Sequence, residues 1–527
     1  MNILMVAAEN DGISKCKVGG IGDVIRDIPT ALSSANCAVS VVTPSYGYLH
    51  EAAGSELIAE IIFPFAGAEQ IAELYRVRPK NAAGERATHY VIDHPTFKKE
   101  NEARGELEIY SHDAPGRPFA TDASKFACFN AAIAVAIEQN LFGPLNILHL
   151  HDWHAAFLLA LRRFDPACAH LQTLRTVYTI HNLALQGIRP FEADSSSLES
   201  WFPHLEQTPE LLATLGDPRW PDCINPMAVG IRLADAVHTV SPTYAQEILE
   251  PSQPPQFFGG EGLEGDLKTA RNEGRLHGIL NGCEYPAEKT QKLSVTALLE
   301  LIKAQAAHWA SKHNALSLAD YTAFQTLEKI ANARRKPDFI ATSISRVVDQ
   351  KMLLMKTKGS NGKSGIENIL DALGPNRLYI LLGTGDSETE AFLTETATVR
   401  RNFLFLNSYS NTAANALYAS GNLFLMPSSF EPCGIGQMLA MREGQPCLVH
   451  RTGGLRDTVE PDVNGFGFEG DTVEQQVDQM TAALKAALTL HAESSSDWRN
   501  ICAVAAQTRF KWNTTAELYI EKLYTRA

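Results

Sequence analysis

The feature that most constrains this chain is a rhythm of short, almost wholly apolar runs. Each ends in a polar loop and is followed by an amphipathic stretch. A first block carries "NILMVAA", "AVSVVTP", "LNILHLHD", "RTVYTIHN" and "DAVHTVSP". A second carries "DFIATSISR", "RLYILLGTGD", "NFLFLN", "NLFLMPSS" and "PCLVHRTGG". Runs without polar alternation belong to strands covered on both faces, and parallel neighbours need a crossover helix between them. The rhythm predicts an α/β chain with two doubly wound, Rossmann-like domains. At 527 residues the chain is also too long for one ordinary core. Between the blocks, residues 250–275 are rich in Gly, Pro and acids and read as loop, and residues 295–335 read as polar helix. The expected domains are 1–283 and 284–505, with a last amphipathic helix in 506–527 that can cross back to the first domain.

Composition removes several function classes. The net charge of −14 disfavours a general binder of nucleic acid or anionic membrane. No apolar run approaches the ~18 residues of a membrane span, and "MNILMVAAEN" reads as a first strand rather than a signal peptide. The nine cysteines include no CxxC pair, which points to a reducing, cytoplasmic compartment rather than a disulfide framework.

Doubly wound sheets bind ligands at the carboxyl ends of their strands, and the polar clusters fall there. In "KCKVGGIGDV", Gly19 and Gly20 let backbone approach a ligand, the next helix offers N–H groups to an anion, and Lys17 adds charge. In "HLHDWHAAF", three histidines near Asp152 raise the question of zinc, but their spacing fits no metal motif. A polar wall, with Asp152 accepting from a hydroxylated ligand, fits better. In "YTIHNLALQG", a neutral His181 can donate to a sugar hydroxyl, or the segment merely starts a loop. In "SRVVDQK", Arg346 and Lys351 suit a diphosphate, or form a solvated pair. In "SSFEPCGIGQMLAMREGQPC", Glu431 stands alone between a strand and a helix, and "TGGL" follows as another glycine-rich turn.

Taken in order, these segments resemble the bacterial glycogen synthase and plant starch synthase family. "KVGGIGDV", "HDWHAAF", "YTIHNLALQG", "VSPTYAQEI", "GILNG", "SRVVDQK", "LLGTGD", "FEPCGIGQMLAMREGQPCLVHRTGGLRDTV" and "GFGFEG" match the family's pattern from residue 1 to about 470, with a weak patch at 285–335. The resemblance implies a GT-B architecture, two Rossmann-like domains facing a cleft. It implies transfer of glucose from ADP-glucose or UDP-glucose to the non-reducing 4-OH of an α-1,4-glucan, with retention. No cofactor or metal is expected. In that reading Arg346 and Lys351 hold the diphosphate, Glu431 grips the glucose hydroxyls, and Asp152 and His181 line the transferred sugar. Lys17, Gly19, Gly20 and Asp23 bind donor from the first domain. Asn281 and Tyr409 contact the nucleoside, and Cys433, Gly434, Thr452 and Gly453 face phosphate.

The chemistry agrees with these residue types: a departing diphosphate needs fixed cations. A double displacement needs a carboxylate under C1. The resemblance places Glu431 on hydroxyls instead, so front-face attack is expected. The chain departs from the family at Gly436, where a Thr is usual, at Met352, at Lys125 in place of Arg, and after "GILNG", where "CEYPAEKTQKL" lacks a W-x-P stretch. Those departures motivate the alternative of a non-catalytic paralogue that binds glucan or nucleotide-sugar. Leu439 stands where sucrose- or trehalose-forming relatives carry a second Glu, which favours the glucan side.

Overall fold

The computed structural model describes residues 1–81, 84–101, 106–286, 290–311 and 316–525. Part of the divergent stretch after "GILNG", residues 287–289, therefore lies outside the described residues. The chain divides into two units, Met1–Ser252 with Gly259–Gly282 and Lys511–Ala527, and Gln253–Phe258 with Cys283–Phe510.

The first unit is built on a nine-stranded sheet. Its spatial order is Leu276–Gly278, Ala236–Thr239, Arg175–Ile180, Ile147–His151, Asn2–Val6, Ala38–Pro44, Thr88–Asp93, Ala68–Val77 and Glu56–Phe65. The first seven run parallel, and the last two join as an antiparallel hairpin. Asn2–Val6 is where the order reverses, since the chain steps to Ala38–Pro44 on one side and returns to Ile147–His151 on the other. The loops after these two central strands therefore open side by side, at the place where doubly wound sheets hold ligands.

The second unit is a six-stranded parallel sheet in the order Phe403–Leu406, Arg377–Leu382, Phe339–Ile344, Leu423–Met426, Cys447–His450 and Gly465–Phe468. Its order reverses between Phe339–Ile344 and Leu423–Met426. Their strand-end loops carry "SRVVDQK" and "SSFEPCGIG".

Each apolar run of the sequence forms a buried strand: Phe403–Leu406, Leu423–Met426 and Cys447–His450 are buried at every position. Two elements are absent from the sequence reading and a third departs from it. The hairpin at the sheet edge has strands that mix buried and exposed apolar residues, which blurs their period. Helix Ala120–Glu138 is buried at most of its positions, so it shows no apolar stripe. The stretch 250–275, read as loop, contains helix Glu264–Asn272. That helix buries only Leu267 and Ala270, and Glu264 and Asp266 in its first turn with Arg271 in its last suit its dipole.

The C-terminal helix Trp512–Tyr519 belongs to the first unit. Trp512, Ala516, Tyr519, Leu523 and Tyr524 share one apolar cluster with Ile25, Ile28 and Leu32 of helix Gly20–Ser34. Trp512 donates its indole N–H to Asp27 at 2.9 Å and Thr515 donates to the Leu280 carbonyl at 2.9 Å. Burying each such aromatic contributes about 1.5–3 kcal/mol.

Candidate active site

In the first unit the glycine-rich loop closes onto an acid. Glu9, at the end of the first apolar run, is buried, and its Oε2 accepts the backbone N–H groups of Val18 (2.7 Å) and Gly19 (2.6 Å). Tyr110 donates its hydroxyl to Glu9 Oε1 at 2.9 Å. Next to this loop lies an ionic network. Lys17 pairs with Asp23 at 2.6 Å, Arg26 reaches Asp11, Asp23 and Asp27, and Lys80 reaches Asp11. Lys17 is 37% exposed. An exposed pair of this kind contributes at most about 1 kcal/mol, so its ammonium can exchange a carboxylate for a phosphate at little cost.

The loop after Ile147–His151 holds Asp152 at φ 55° and ψ −177°, a conformation that costs a non-glycine residue of order 1–3 kcal/mol. Its Oδ1 accepts the His181 backbone N–H at 2.7 Å, which ties two neighbouring strand ends together. Burial pushes the Asp152 carboxyl up to about 8, with the Glu9 charge adding to it. At neutral pH this group is therefore largely a neutral acid that can donate as well as accept. Burial pushes the His181 imidazole down to about 3 and holds it neutral. Its Nε2 lies 3.0 Å from His151 Nδ1.

The histidines of "HLHDWHAAF" are engaged as a hydrogen-bonded wall: His149 bonds Tyr524 (2.8 Å) and Thr179 (2.7 Å). Among the described residues, the Trp153 indole N–H, His151 Nε2 and His154 Nδ1 are buried without partners. Asn281 is buried too, and its Oδ1 has no partner among the described residues.

In the second unit the reversal of strand order brings Lys351 and Glu431 into one ion pair, its carboxylate buried and its ammonium half-buried. Ser428 donates to the same Glu431 Oε2 at 3.1 Å. Arg346 is exposed and forms no ion pair among the described residues. Tyr409 is exposed as well, its hydroxyl 3.1 Å from Asn411 Oδ1.

Backbone packing fixes the loop that carries Glu431. Gly454 donates its N–H to the carbonyls of Glu431 (3.1 Å) and Pro432 (3.2 Å). A Cβ on Gly453, whose φ is +44°, would stand 2.0 Å from the Glu431 carbonyl oxygen, and one on Gly454 would stand 2.3 Å from that of Cys433. The "TGGL" glycines are thus required by close approach of two loops of the chain, and the Gly454 N–H faces the Glu431 loop rather than a ligand. Gln437 donates to the Cys433 and Gly434 carbonyls, both at 3.1 Å, and holds the same loop from the other side.

The two constellations therefore bring Asp152, His181, Gly19 and their neighbours together in one unit, and Lys351, Glu431, Cys433 and Gly453 in the other. Sequence reasoning passed over three participants. Glu9 ends an apolar strand run and was within reach of the strand-end rule; Ser428 lies inside the stretch quoted for Glu431; Tyr110 carries no local signal.

Comparison with known proteins identifies the family. Residues 2–269 match the starch synthase catalytic domain family and residues 344–500 match the glycosyl transferases group 1 family. The chain is 32% identical to a glycogen synthase of Streptococcus sanguinis, covering 98% of each chain. It is 30% identical to one of Streptococcus mutans, covering 99% of each. Among solved structures, the catalytic domain of starch synthase IV from Arabidopsis thaliana, bound to ADP and acarbose, superposes with a TM-score of 0.72 at 24% identity, over 100% of this chain and 99% of that one. Sucrose-phosphate synthase from Thermosynechococcus elongatus gives 0.51 at 16% identity, over 99% of this chain and 98% of that one. Two parallel α/β units, strand-end constellations in each, and full-length relatives agree: the chain belongs to the glycogen and starch synthase family of GT-B glucosyltransferases, which build glycogen or starch by glucosyl transfer.

Proposed function

We propose that the donor is ADP-glucose and that glucose passes, with retention, to the non-reducing 4-OH of an α-1,4-glucan. The observation that carries this reading is the Lys351–Glu431 pair with its buried carboxylate, and Arg346, which forms no ion pair among the described residues, five residues before Lys351 in the chain. A nucleotide-sugar offers both halves of that pair a new partner: the diphosphate takes the Lys351 ammonium and the Arg346 fork, and the sugar hydroxyls take the Glu431 carboxylate. Each charge is then satisfied by the ligand, so burying it costs little. The bond from glucose C1 to the phosphate oxygen breaks and the electron pair leaves on the diphosphate, which the two cations stabilise. The acceptor 4-oxygen bonds to C1 on the same face, and its proton passes to the departing phosphate oxygen.

In the first unit, Asp152 and His181 contribute neutral donors for sugar hydroxyls. Lys17, released from Asp23, and the Gly19–Gly20 turn that Glu9 holds in place supply further contacts to the donor. Asn281 and Tyr409 contact its nucleoside. We assign no cofactor, because fixed cations supply the charge a metal would otherwise bring; addition of EDTA is expected to leave the rate unchanged. We place the enzyme in the cytoplasm, a setting that fits its nine free cysteines, and assign it neither a nucleic-acid nor a membrane partner. No helix among the described residues is long and apolar enough to cross a membrane.

The test is incubation of purified protein with glycogen and labelled ADP-glucose or UDP-glucose. Label in glucan from ADP-glucose at the higher rate supports the assignment. A preference for UDP-glucose overturns the donor, and no label from either donor overturns synthesis and favours a binding paralogue.

A further inference from the structure

Four buried histidines form two separate hydrogen-bonded sets, His238 with His149 and His151 with His181, and the protons of the first can be placed by elimination. His238 Nε2 faces the Ile279 carbonyl at 3.3 Å, which only accepts, so that nitrogen carries the proton. Burial holds His238 neutral, so its Nδ1 is bare and accepts the Thr179 hydroxyl at 3.0 Å. With its own proton used there, the Thr179 oxygen accepts from His149 Nε2 at 2.7 Å. His149 Nδ1 is then bare and accepts the Tyr524 hydroxyl at 2.8 Å. Every member has one role and no proton is left over.

The second set has a single bond, His151 Nδ1 to His181 Nε2 at 3.0 Å. His151 is wholly buried, and its ring stacks on His149 with centroids 4.3 Å apart. Its Nε2 has no partner among the described residues. Were the proton on that Nε2, a buried N–H would lack an acceptor, an arrangement folded proteins rarely tolerate. With the proton on Nδ1, His151 donates to His181 Nε2 and only a bare lone pair is left unpaired. His181 must then carry its own proton on Nδ1, the ring nitrogen with no partner among the described residues.

We propose that His151 is a positioning residue that fixes His181 in the Nδ1-protonated tautomer, so that the active site presents an N–H donor to a hydroxyl of the transferred sugar. This rests on the reading of His181 as a sugar contact. It adds which nitrogen donates and which residue imposes that choice. A side-chain amide can mimic the role, because the Nδ2 of an Asn lies near the place of His Nδ1, whereas Phe keeps the ring and removes the donor.

The experiment combines long-range 1H–15N correlation spectra of histidine-labelled, ligand-free protein with initial rates on ADP-glucose and glycogen. Wild type and His151→Asn are expected to show His181 protonated on Nδ1. His151→Phe is expected to shift His181 toward Nε2 protonation and to lower kcat/KM about 10- to 100-fold, with most of that loss recovered in His151→Asn. A wild-type His181 protonated on Nε2 overturns the proposal whatever the rates, and requires no variant to fold. A His151→Phe variant with unchanged tautomer and rate also overturns it. An Nδ1 tautomer in protein that transfers no glucose from either donor leaves the tautomer assignment standing and refutes the sugar-contact reading instead.

Discussion

Replacing Gly454 with Ala tests whether backbone packing sets the position of Glu431. The added methyl would stand 2.3 Å from the Cys433 carbonyl oxygen and 2.5 Å from its Cα. These are backbone atoms, so the strain cannot be relieved by turning a side chain. Restoring ordinary contact requires about 1 Å of separation between the two loops. The Gly454 N–H bonds to Glu431 and Pro432 cross that same gap, so the loop carrying Glu431 moves and its carboxylate leaves Lys351. A displacement of about 1 Å at a reacting centre costs about 100-fold in rate, and the overpacking costs about 1–3 kcal/mol of stability. Gly436→Ala is the control on the same loop. There a methyl meets two Phe424 ring carbons at 3.4 Å and the Tyr418 hydroxyl at 3.5 Å, ordinary contacts in a helix start without positive φ. That variant should keep its rate within a few-fold. The assay is the initial rate of label transfer from ADP-glucose into glycogen, with thermal unfolding measured in parallel. If Gly454→Ala transfers glucose as fast as Gly436→Ala, the close approach of the two loops does not position Glu431 and the reasoning fails.

Glu431→Ala and Lys351→Ala should each lose orders of magnitude in kcat, and Lys351→Ala leaves the buried Glu431 carboxylate without its cation, at a cost of about 3–5 kcal/mol. Near-normal turnover in either, with folding kept, would remove that residue from the reaction. Acid should destabilise the first unit. His181 and His238 fall from 6.5 to about 3 on folding, so their stabilisation is complete above pH 6.5 and is lost as pH falls toward 3. Asp152, raised from 3.8 to about 8, runs the opposite way across that window. Two histidines against one carboxyl leave a net loss of about 1.4 kcal/mol per pH unit below 6.5, and His149, His151 and His154 add to it. A urea midpoint that is flat from pH 7 to pH 5 would contradict this. Tyr524→Phe removes one donor from the His149 chain and should cost about 1 kcal/mol, read as a lower urea midpoint.

The parts of this molecule that sequence reveals are those whose cause is local. The run "NLFLM" reads as a strand because helices cover both faces and no polar residue interrupts it. Arg346, Lys351, Asp152, His181 and Glu431 stand out because they follow such runs. What stays hidden depends on pairings between distant segments. Nothing near Lys351 shows that its partner lies 80 residues away in Glu431, since that contact exists only through the order of strands. Nor does "KVGG" reveal that two of its amides close on Glu9. Helix Glu264–Asn272 is obscured because two buried residues make too thin a stripe among glycines and acids.

The return of the C-terminal helix to the first unit also governs the order in which the chain can finish folding during synthesis. The second unit has all its strands once Phe510 has emerged, and its core can close at that point. The first unit, begun earliest, waits longest. Until residues 511–525 leave the ribosome, Ile25, Ile28 and Leu32 lack the cover of Trp512, Ala516 and Tyr519. His149 Nδ1 also lacks the Tyr524 hydroxyl that it accepts. For that interval the nascent chain displays an apolar helix face of the kind chaperones bind. A cut between residues 510 and 511 would make that exposure permanent while leaving Arg346, Lys351 and Glu431 in a unit still able to close.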